Sequence, residues 1–422
     1  MSETYWHSVT LDTEKCTGCT NCLKHCPTQA IRVQKGKAKI LKERCIDCGE
    51  CIRVCPHHAK KAVTNGLDAL DKFKYSIALV APAFCGQFSK AEDCNLILSS
   101  LKLIGFDDVY EVARGAQEIS DKTRELLREG GLEKPVISSA CPAVCRLIEV
   151  RFPNLISNII PLKSPMELSA EAARKEAVQK TGYDKSQIGV FFISPCAAKA
   201  TAVKDAALVN NSNVDGVISI KDTYLRLAQK ISKIKDVEEL SHAGSRGILW
   251  AKSGGEAKAT GAVRCVAVDG IHNVIKLFDD IEDDKLADIE YVEALACPGG
   301  CVGGPLAAEN SFVARARLER ICRDMPYEAG KIDDDIDRIW DRPPIYRPIM
   351  KLNEDFQVAM QMAMDIDELE KTLPGLDCGS CGAPSCHAFA EDIVRGYASE
   401  TDCIFRLREL VEKLKTDKEK GE

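Results

Sequence analysis

The chain lacks any apolar run long enough to cross a bilayer, and residues 1–15 contain no apolar signal core, which points to a cytoplasmic protein with no membrane partner. It also lacks a basic excess. Lys and Arg number 57 against 64 Asp and Glu, and the formal net charge of -7 argues against a nucleic-acid partner. What remains is ordinary for a globular chain: 422 residues, 45% hydrophobic and 29% charged, a length that suggests roughly three domains. Cysteine is the exception, at 21. The odd count fits poorly with full disulfide pairing, and in a reducing compartment clustered cysteines usually bind metal.

One stretch organises the rest. An apolar run over 289–296 reads as a buried strand and leads into Cys297-Pro298-Gly299-Gly300-Cys301, with Gly303-Gly304-Pro305 close behind. Two glycine pairs around two thiols let backbone pass close to a bulky group, which suggests a loop wrapped on an iron–sulfur centre.

The first segment carries an internal repeat. Cys16, Cys19, Cys22 and Cys26 follow C-x2-C-x2-C-x3-C with Pro27 next, and Cys45, Cys48, Cys51 and Cys55 repeat it 29 residues later with Pro56 next. This spacing lets one loop present three thiolates to one 4Fe–4S cubane while the fourth reaches the other cluster. Cys16, Cys19, Cys22 and Cys55 are therefore assigned to one cluster, and Cys45, Cys48, Cys51 and Cys26 to a second. The segment resembles two-cluster ferredoxins over about residues 12–62, which implies an α+β fold and single-electron transfer. Its basic residues (Lys15, Lys24, Lys42, Arg44, Arg53, Lys60 and Lys61) either offset cluster charge or greet an acidic partner. A solvated face is the commoner reading.

Beyond Gly66, apolar runs over 75–81, 136–140, 188–194, 214–220 and 289–296 alternate with amphipathic stretches such as 91–103, 170–180 and 225–233. This alternation predicts an α/β core of parallel sheet flanked by helices, with ligands at the carboxyl ends of strands. Cys141, Cys196 and Cys297 each follow such a run and each neighbours a proline, with Cys301 one loop further. Four thiols at three strand ends suggest a cluster held between two sheets.

Ser138-Ser139-Ala140-Cys141-Pro142, Ser194-Pro195-Cys196-Ala197-Ala198-Lys199 and Glu293-Ala294-Leu295-Ala296-Cys297-Pro298-Gly299-Gly300-Cys301 resemble the three cluster-binding motifs of FeFe-hydrogenases, in that family's order. The resemblance covers about residues 77–305. It implies that Cys141, Cys196, Cys297 and Cys301 hold a 4Fe–4S cluster. It further implies that Cys301 bridges to a diiron subcluster carrying CO, cyanide and an azadithiolate, the composite called the H-cluster. Maturation enzymes install that diiron unit. Lys199 corresponds to the family's lysine beside a cyanide ligand, where an ammonium pairs with an anionic acceptor.

The departures are informative. The family's efficient catalysts carry a proton-relaying cysteine directly before the first ligand, and here that position is Ala140. Ser194 and Leu295 replace two methionines, and Met166-Glu167 replaces a glutamine pair. These changes match divergent, sensory branches of the family. Another proton route then needs carboxylates: Glu293, which shares a strand face with Cys297, and Glu256, just after Gly254-Gly255. Glu125 is a weaker candidate, and Cys145 either faces the site or is a small buried hydrophobe. Cys85, Cys94, Cys265 and Cys322 have no ligand spacing and read as core or surface thiols.

The stretch 326–352 carries four prolines and reads as a linker wrapping the core. After a helix over 356–369 comes Cys378-Gly379-Ser380-Cys381 with Cys386 and Cys403 following, a C-x2-C-x4-C…C spacing suited to a cluster, with zinc as the alternative. It resembles the small, helical 4Fe–4S domain of Rnf-type electron-transfer subunits. A charged helix over 406–420 ends the chain. The expected domains are 1–70 (two-cluster ferredoxin), 71–325 (H-cluster domain), 326–352 (linker) and 353–422 (4Fe–4S domain), with the accessory clusters bracketing the central domain.

The expected function is reversible oxidation of H2 to protons and electrons at an H-cluster, slow and sensory, with three accessory 4Fe–4S clusters passing electrons to a redox or signalling protein. A homodimer is left open. The alternatives are a fast hydrogenase feeding a soluble redox carrier, and an iron–sulfur carrier or assembly protein without the diiron unit. Intact Cys301 and Lys199 argue against the last.

Overall fold

The computed structural model describes residues 6–89, 93–206, 208–328 and 330–420. The chain forms two compact units. The smaller comprises residues 9–45, 50–61 and 347–422, and the larger comprises 1–8, 46–49 and 62–346. None of the described helices is long and apolar enough to cross a membrane.

The smaller unit begins with strands β1 (Val9–Leu11), β2 (Ile31–Gln34), β3 (Lys37–Ile40) and β4 (Lys60–Ala62), the last of which runs to the unit's edge. β2 and β3 form an antiparallel hairpin, and β1 pairs with β4. Residues 347–422 belong to this same unit, so the expectation that the accessory segments bracket the central domain is corrected. The physical cause is a pair of buried ion pairs. Arg32 on β2 grips Asp392 through two nitrogens at 2.5 and 3.0 Å, and Arg44 meets Glu391 at 2.5 Å. Both carboxylates lie on the helix Cys386–Val394. Beside them the Gly382 carbonyl accepts a hydrogen bond from the Val33 amide, at 2.9 Å. Its φ is +86°, and a Cβ there would stand 1.9 Å from the Val33 oxygen, so only glycine fits.

The larger unit contains two parallel sheets flanked by helices. Strands β5 (Tyr75–Val80), β6 (Asp108–Glu111), β7 (Val136–Ile137), β8 (Ile188–Ser194), β9 (Gly216–Ser219), β10 (Cys265–Asp269) and β11 (Tyr291–Leu295) assemble in the orders β6-β5-β8-β9 and β10-β11-β7. The first sheet is buried on both faces. Ala78 and Val80 pack into one core with Phe191 and Ile193, while Ile77 and Leu79 pack into another with Val190 and Phe192. That two-sided burial is why β5 and β8 read as unbroken apolar runs.

Two strands escaped the sequence pattern. β6 carries Asp108 and Glu111, and β10 is only half-buried along its length; both are edge strands. The run at 136–140 narrows to two strand residues because serine side chains take over the backbone bonding. Ser138 Oγ accepts the Ala140 amide at 3.2 Å, and Ser139 Oγ donates to the Leu162 carbonyl at 2.8 Å. The helix expected at 225–233 instead occupies Ile220–Leu227, because Ser219 caps it by accepting the Asp222 amide at 3.0 Å. The stretch expected at 91–103 contains the helix Cys94–Ser100; residues 91 and 92 lie outside the described residues. The expected linker divides between the units. Ile332 and Ile336 are buried in the larger unit's core, and Ile339 bridges to Leu162.

Candidate metal centres

Cys141, Cys196 and Cys297 lie just past the carboxyl ends of β7, β8 and β11. Cys141 is the residue before the helix Pro142–Arg151 and Cys196 the residue before Ala197–Lys204. Two helix N-termini with their unpaired amides and positive dipole ends therefore begin at thiol positions, which suits an anionic cluster. Cys301 opens a short 3₁₀ turn, Cys301–Gly303. All four cysteines line one cavity of about 100 Å³ together with Ala140, Met166, Ser194, Lys199, Trp250 and Glu256. The lining is otherwise mainly apolar. Burial pushes the Cys196 thiol up to about 11, with the Cys141 thiol adding to the effect. Burial also raises Cys301, with Cys297, Cys196 and Cys141 adding and Lys199 opposing. Soft thiol donors suit an iron–sulfur centre among the soft metal groups, and the nearby Lys199 ammonium suits an anionic one.

Gly300 and Gly304 line the same cavity as the thiols, and the second pair also meets a protein neighbour. A Cβ on Gly304 would stand 2.3 Å from the Pro195 carbonyl oxygen. The close approach joins the loop after β11 to the loop after β8, and so brings Cys301 beside Cys196.

The two carboxylates are placed unequally. Glu256 lines the cavity; its Oε1 accepts from Ser138 Oγ at 2.7 Å and from the Tyr291 hydroxyl at 2.6 Å. Glu293 is fully buried on β11 but does not line the cavity. It accepts the Gly254 amide at 2.9 Å and the Ala257 amide at 2.8 Å, and so fixes the start of the helix Gly255–Thr260 that carries Glu256. Burial pushes Glu256 up to about 7. Burial, then the Glu256 charge, pushes Glu293 up to about 8. Burial and mutual repulsion thus push both carboxyls toward the protonated form, and the two titrate as a pair.

Glu125 does not join the site: it is half-exposed and pairs with Lys122 at 2.9 Å. Cys145 is buried, with its thiol 3.5 Å from the Ser139 carbonyl, and burial raises it further beyond reach of ionisation. Cys85 and Cys94 are buried 3.5 Å apart. Sequence reasoning missed Ser138 and Tyr291. Strand parity offered a signal for the second, since 291 and 293 alternate onto one face of β11.

In the smaller unit Cys16, Cys19, Cys22 and Cys55 line one cavity, joined by His57 and Lys60. The repeat extends to sulfur hydrogen bonds: Ala30 N donates to Cys26 Sγ at 3.2 Å and Ala59 N to Cys55 Sγ at 3.3 Å. Cys26, Cys45 and Cys51 belong to this unit, whereas Cys48 falls in the stretch 46–49 grouped with the larger one. Cys378, Cys381, Cys386 and Cys403 line a third cavity. Lys60 and Arg44 are buried, not part of the solvated face expected of them.

A parallel α/β scaffold that gathers four thiols and a lysine at its strand ends, joined to a cysteine-repeat module, defines an iron–sulfur redox protein. The family described as iron only hydrogenase large subunit, C-terminal domain, matches residues 74–261 and 222–305, more than half of the chain, and the chain belongs to that family. A 4Fe-4S dicluster domain matches residues 8–56, and a family described as a putative Fe-S cluster matches residues 373–405. The chain is 24% identical over 361 residues to the periplasmic [Fe] hydrogenase large subunit of Nitratidesulfovibrio vulgaris, covering 71% of this chain and 86% of the relative. It is 23% identical over 297 residues to iron hydrogenase 1 of Clostridium pasteurianum, covering 57% of this chain and 51% of that protein. Among solved structures, a variant of the [FeFe]-hydrogenase HydA1 from Chlamydomonas reinhardtii aligns with TM-score 0.49 and 17% identity, over 63% of this chain and 90% of that one.

Proposed function

We propose that this protein is a slow, sensory FeFe-hydrogenase that interconverts H2 with protons and electrons and reports the outcome through its accessory clusters. The observation that carries the reading is the cavity wall, where four thiols and Lys199 are retained but Ala140 stands beside Cys141. When bound, the H-cluster supplies the iron centre and base at which H2 is cleaved or formed. Cys141, Cys196, Cys297 and Cys301 would hold it. Lys199 would offer its ammonium to an anionic ligand, and the apolar lining would keep bulk water away.

The methyl group of Ala140 carries no proton. Glu256 is the carboxyl on the wall that takes over, with its Oε1 oriented by Ser138 and Tyr291 and its charge opposed by that of Lys199. A carboxyl titrating near neutral pH suits proton transfer in both directions. Such a detour is the physical basis for slow turnover. Electrons would leave through accessory 4Fe–4S clusters to a redox or signalling protein. Maturation enzymes would load the diiron unit, and the chain would work in a reducing compartment such as the cytoplasm, where clustered cysteines stay available for metal.

Infrared spectroscopy after maturation tests the cofactor: bands of CO and cyanide are expected, and their absence overturns the reading. Ala140→Cys tests the proton argument. H2 oxidation should rise by about a hundredfold, the lower end of what a positioned proton carrier contributes. No gain in a fully loaded variant would remove the relay argument.

A further inference from the structure

The repeat that places eight cysteines also pairs the residues after them. The 29-residue offset matches Ala30 with Ala59, whose amides serve Cys26 and Cys55 alike. One position later it matches Ile31, the first residue of β2, with Lys60, the first residue of β4. Both are 2% exposed. An apolar core position in one half of the repeat is therefore an ammonium in the other.

That ammonium is unusual. Among the described residues Lys60 Nζ has no hydrogen-bond partner and no carboxylate within ion-pair distance. A buried cation without a counter-charge costs several kcal/mol, so a folded chain that retains one has an anion for it. Lys60 lines the cavity formed by Cys16, Cys19, Cys22 and Cys55. Burial pushes the Cys22 thiol up, and the Lys60 charge pulls against it. The repeat partner Ile31 brings no charge to its own side.

We infer that Lys60 is the buried counter-charge of the cluster held by Cys16, Cys19, Cys22 and Cys55, and that it holds this cluster at a higher reduction potential than its repeat mate. A thiolate-bound cluster becomes more negative by one charge when it takes an electron, and no proton need follow. A fixed positive charge stabilises the reduced form more than the oxidised form, and more strongly where water is excluded. The inference rests on the dicluster assignment alone and is independent of the hydrogen chemistry. Its consequence is an asymmetric wire, in which an arriving electron settles first on the Lys60 side.

The test is an EPR-monitored redox titration of the full chain with its iron–sulfur clusters loaded, with iron and acid-labile sulfide counted. In Lys60→Met one cluster's reduction equilibrium should move at least tenfold toward the oxidised form, about 59 mV for one electron. The remaining clusters should move less. Lys60→Arg should stay within threefold of the parent. A Lys60→Met protein with full iron content and every midpoint within threefold overturns the inference. If the Met variant cannot hold the cluster, the iron count decides: loss in Met with retention in Arg supports the counter-charge role, and loss in both overturns it. Wild-type protein without 4Fe–4S signals would instead remove the dicluster assignment, a result seen before any variant is made.

Discussion

The central cavity and the Cys16 cavity each collect four thiols, but by opposite means. In the smaller unit three of the four come from seven consecutive residues, so a single loop defines most of the site. In the larger unit the ligands come from three loops that lie up to 160 residues apart in sequence, and the register of β7 on β11 together with the close approach of Gly304 to Pro195 brings them together. The difference extends to charge. The loop-built site keeps a bare buried ammonium at its wall, whereas the register-built site sets Lys199 against the carboxyl of Glu256. A loop-built site should tolerate distant change and carry fixed charge. A register-built site should be brittle to distant change, but it can place proton carriers from separate strands.

The largest expected effect comes from removing one central ligand. Cys297→Ala should abolish H2 oxidation and the central cluster's iron while the other clusters' iron stays, as read by iron count and EPR. Equal loss from both regions would break the comparison. Next is Arg32→Ala, which leaves Asp392 buried and unpaired; about 3–5 kcal/mol of the smaller unit's stability should disappear. Denaturant unfolding followed by the C-terminal cluster's absorbance reads this, with the central site unaffected.

The third effect is a pH dependence. Burial raises Glu256 from 4.5 to about 7. A raised carboxyl favours the folded state when protonated, so its contribution is full below pH about 4.5 and is lost as pH rises through about 7. The loss is on the order of 3 kcal/mol. Glu256→Gln should flatten that part of the stability profile, measured by denaturant midpoints at pH 5 and pH 8. An unchanged slope would assign the titration elsewhere. The smallest effect is Gly382→Ala, where a positive φ and the Val33 carbonyl oppose a side chain. It should cost about 1–3 kcal/mol in the same unfolding assay used for Arg32→Ala.

Much of the candidate site was legible because thiols and prolines are rare enough to mark strand ends. Buried strands β5 and β8 were legible because two-sided burial leaves a nearly continuous apolar run, and β11 because Glu293 alone interrupts one. The edge strands β6 and β10 were not, since their polar or half-exposed residues carry no such signal. The Ser138–Glu256–Tyr291 cluster was invisible because its members come from three elements and each residue type alone is common. Lys60 was misread for the same reason: a lysine in a basic segment looks solvated until its neighbours are known.

By itself the sequence determined which atoms can bind iron, the order of the motifs, and the parallel α/β character of the core, because spacing and periodicity are properties of the chain. Tertiary structure alone decided which charges are buried, that residues 347–422 pack with the ferredoxin segment, and that Glu256 rather than Glu293 reaches the cavity wall. Those outcomes depend on distances between residues remote in sequence, and burial and Coulomb energy are functions of such distances.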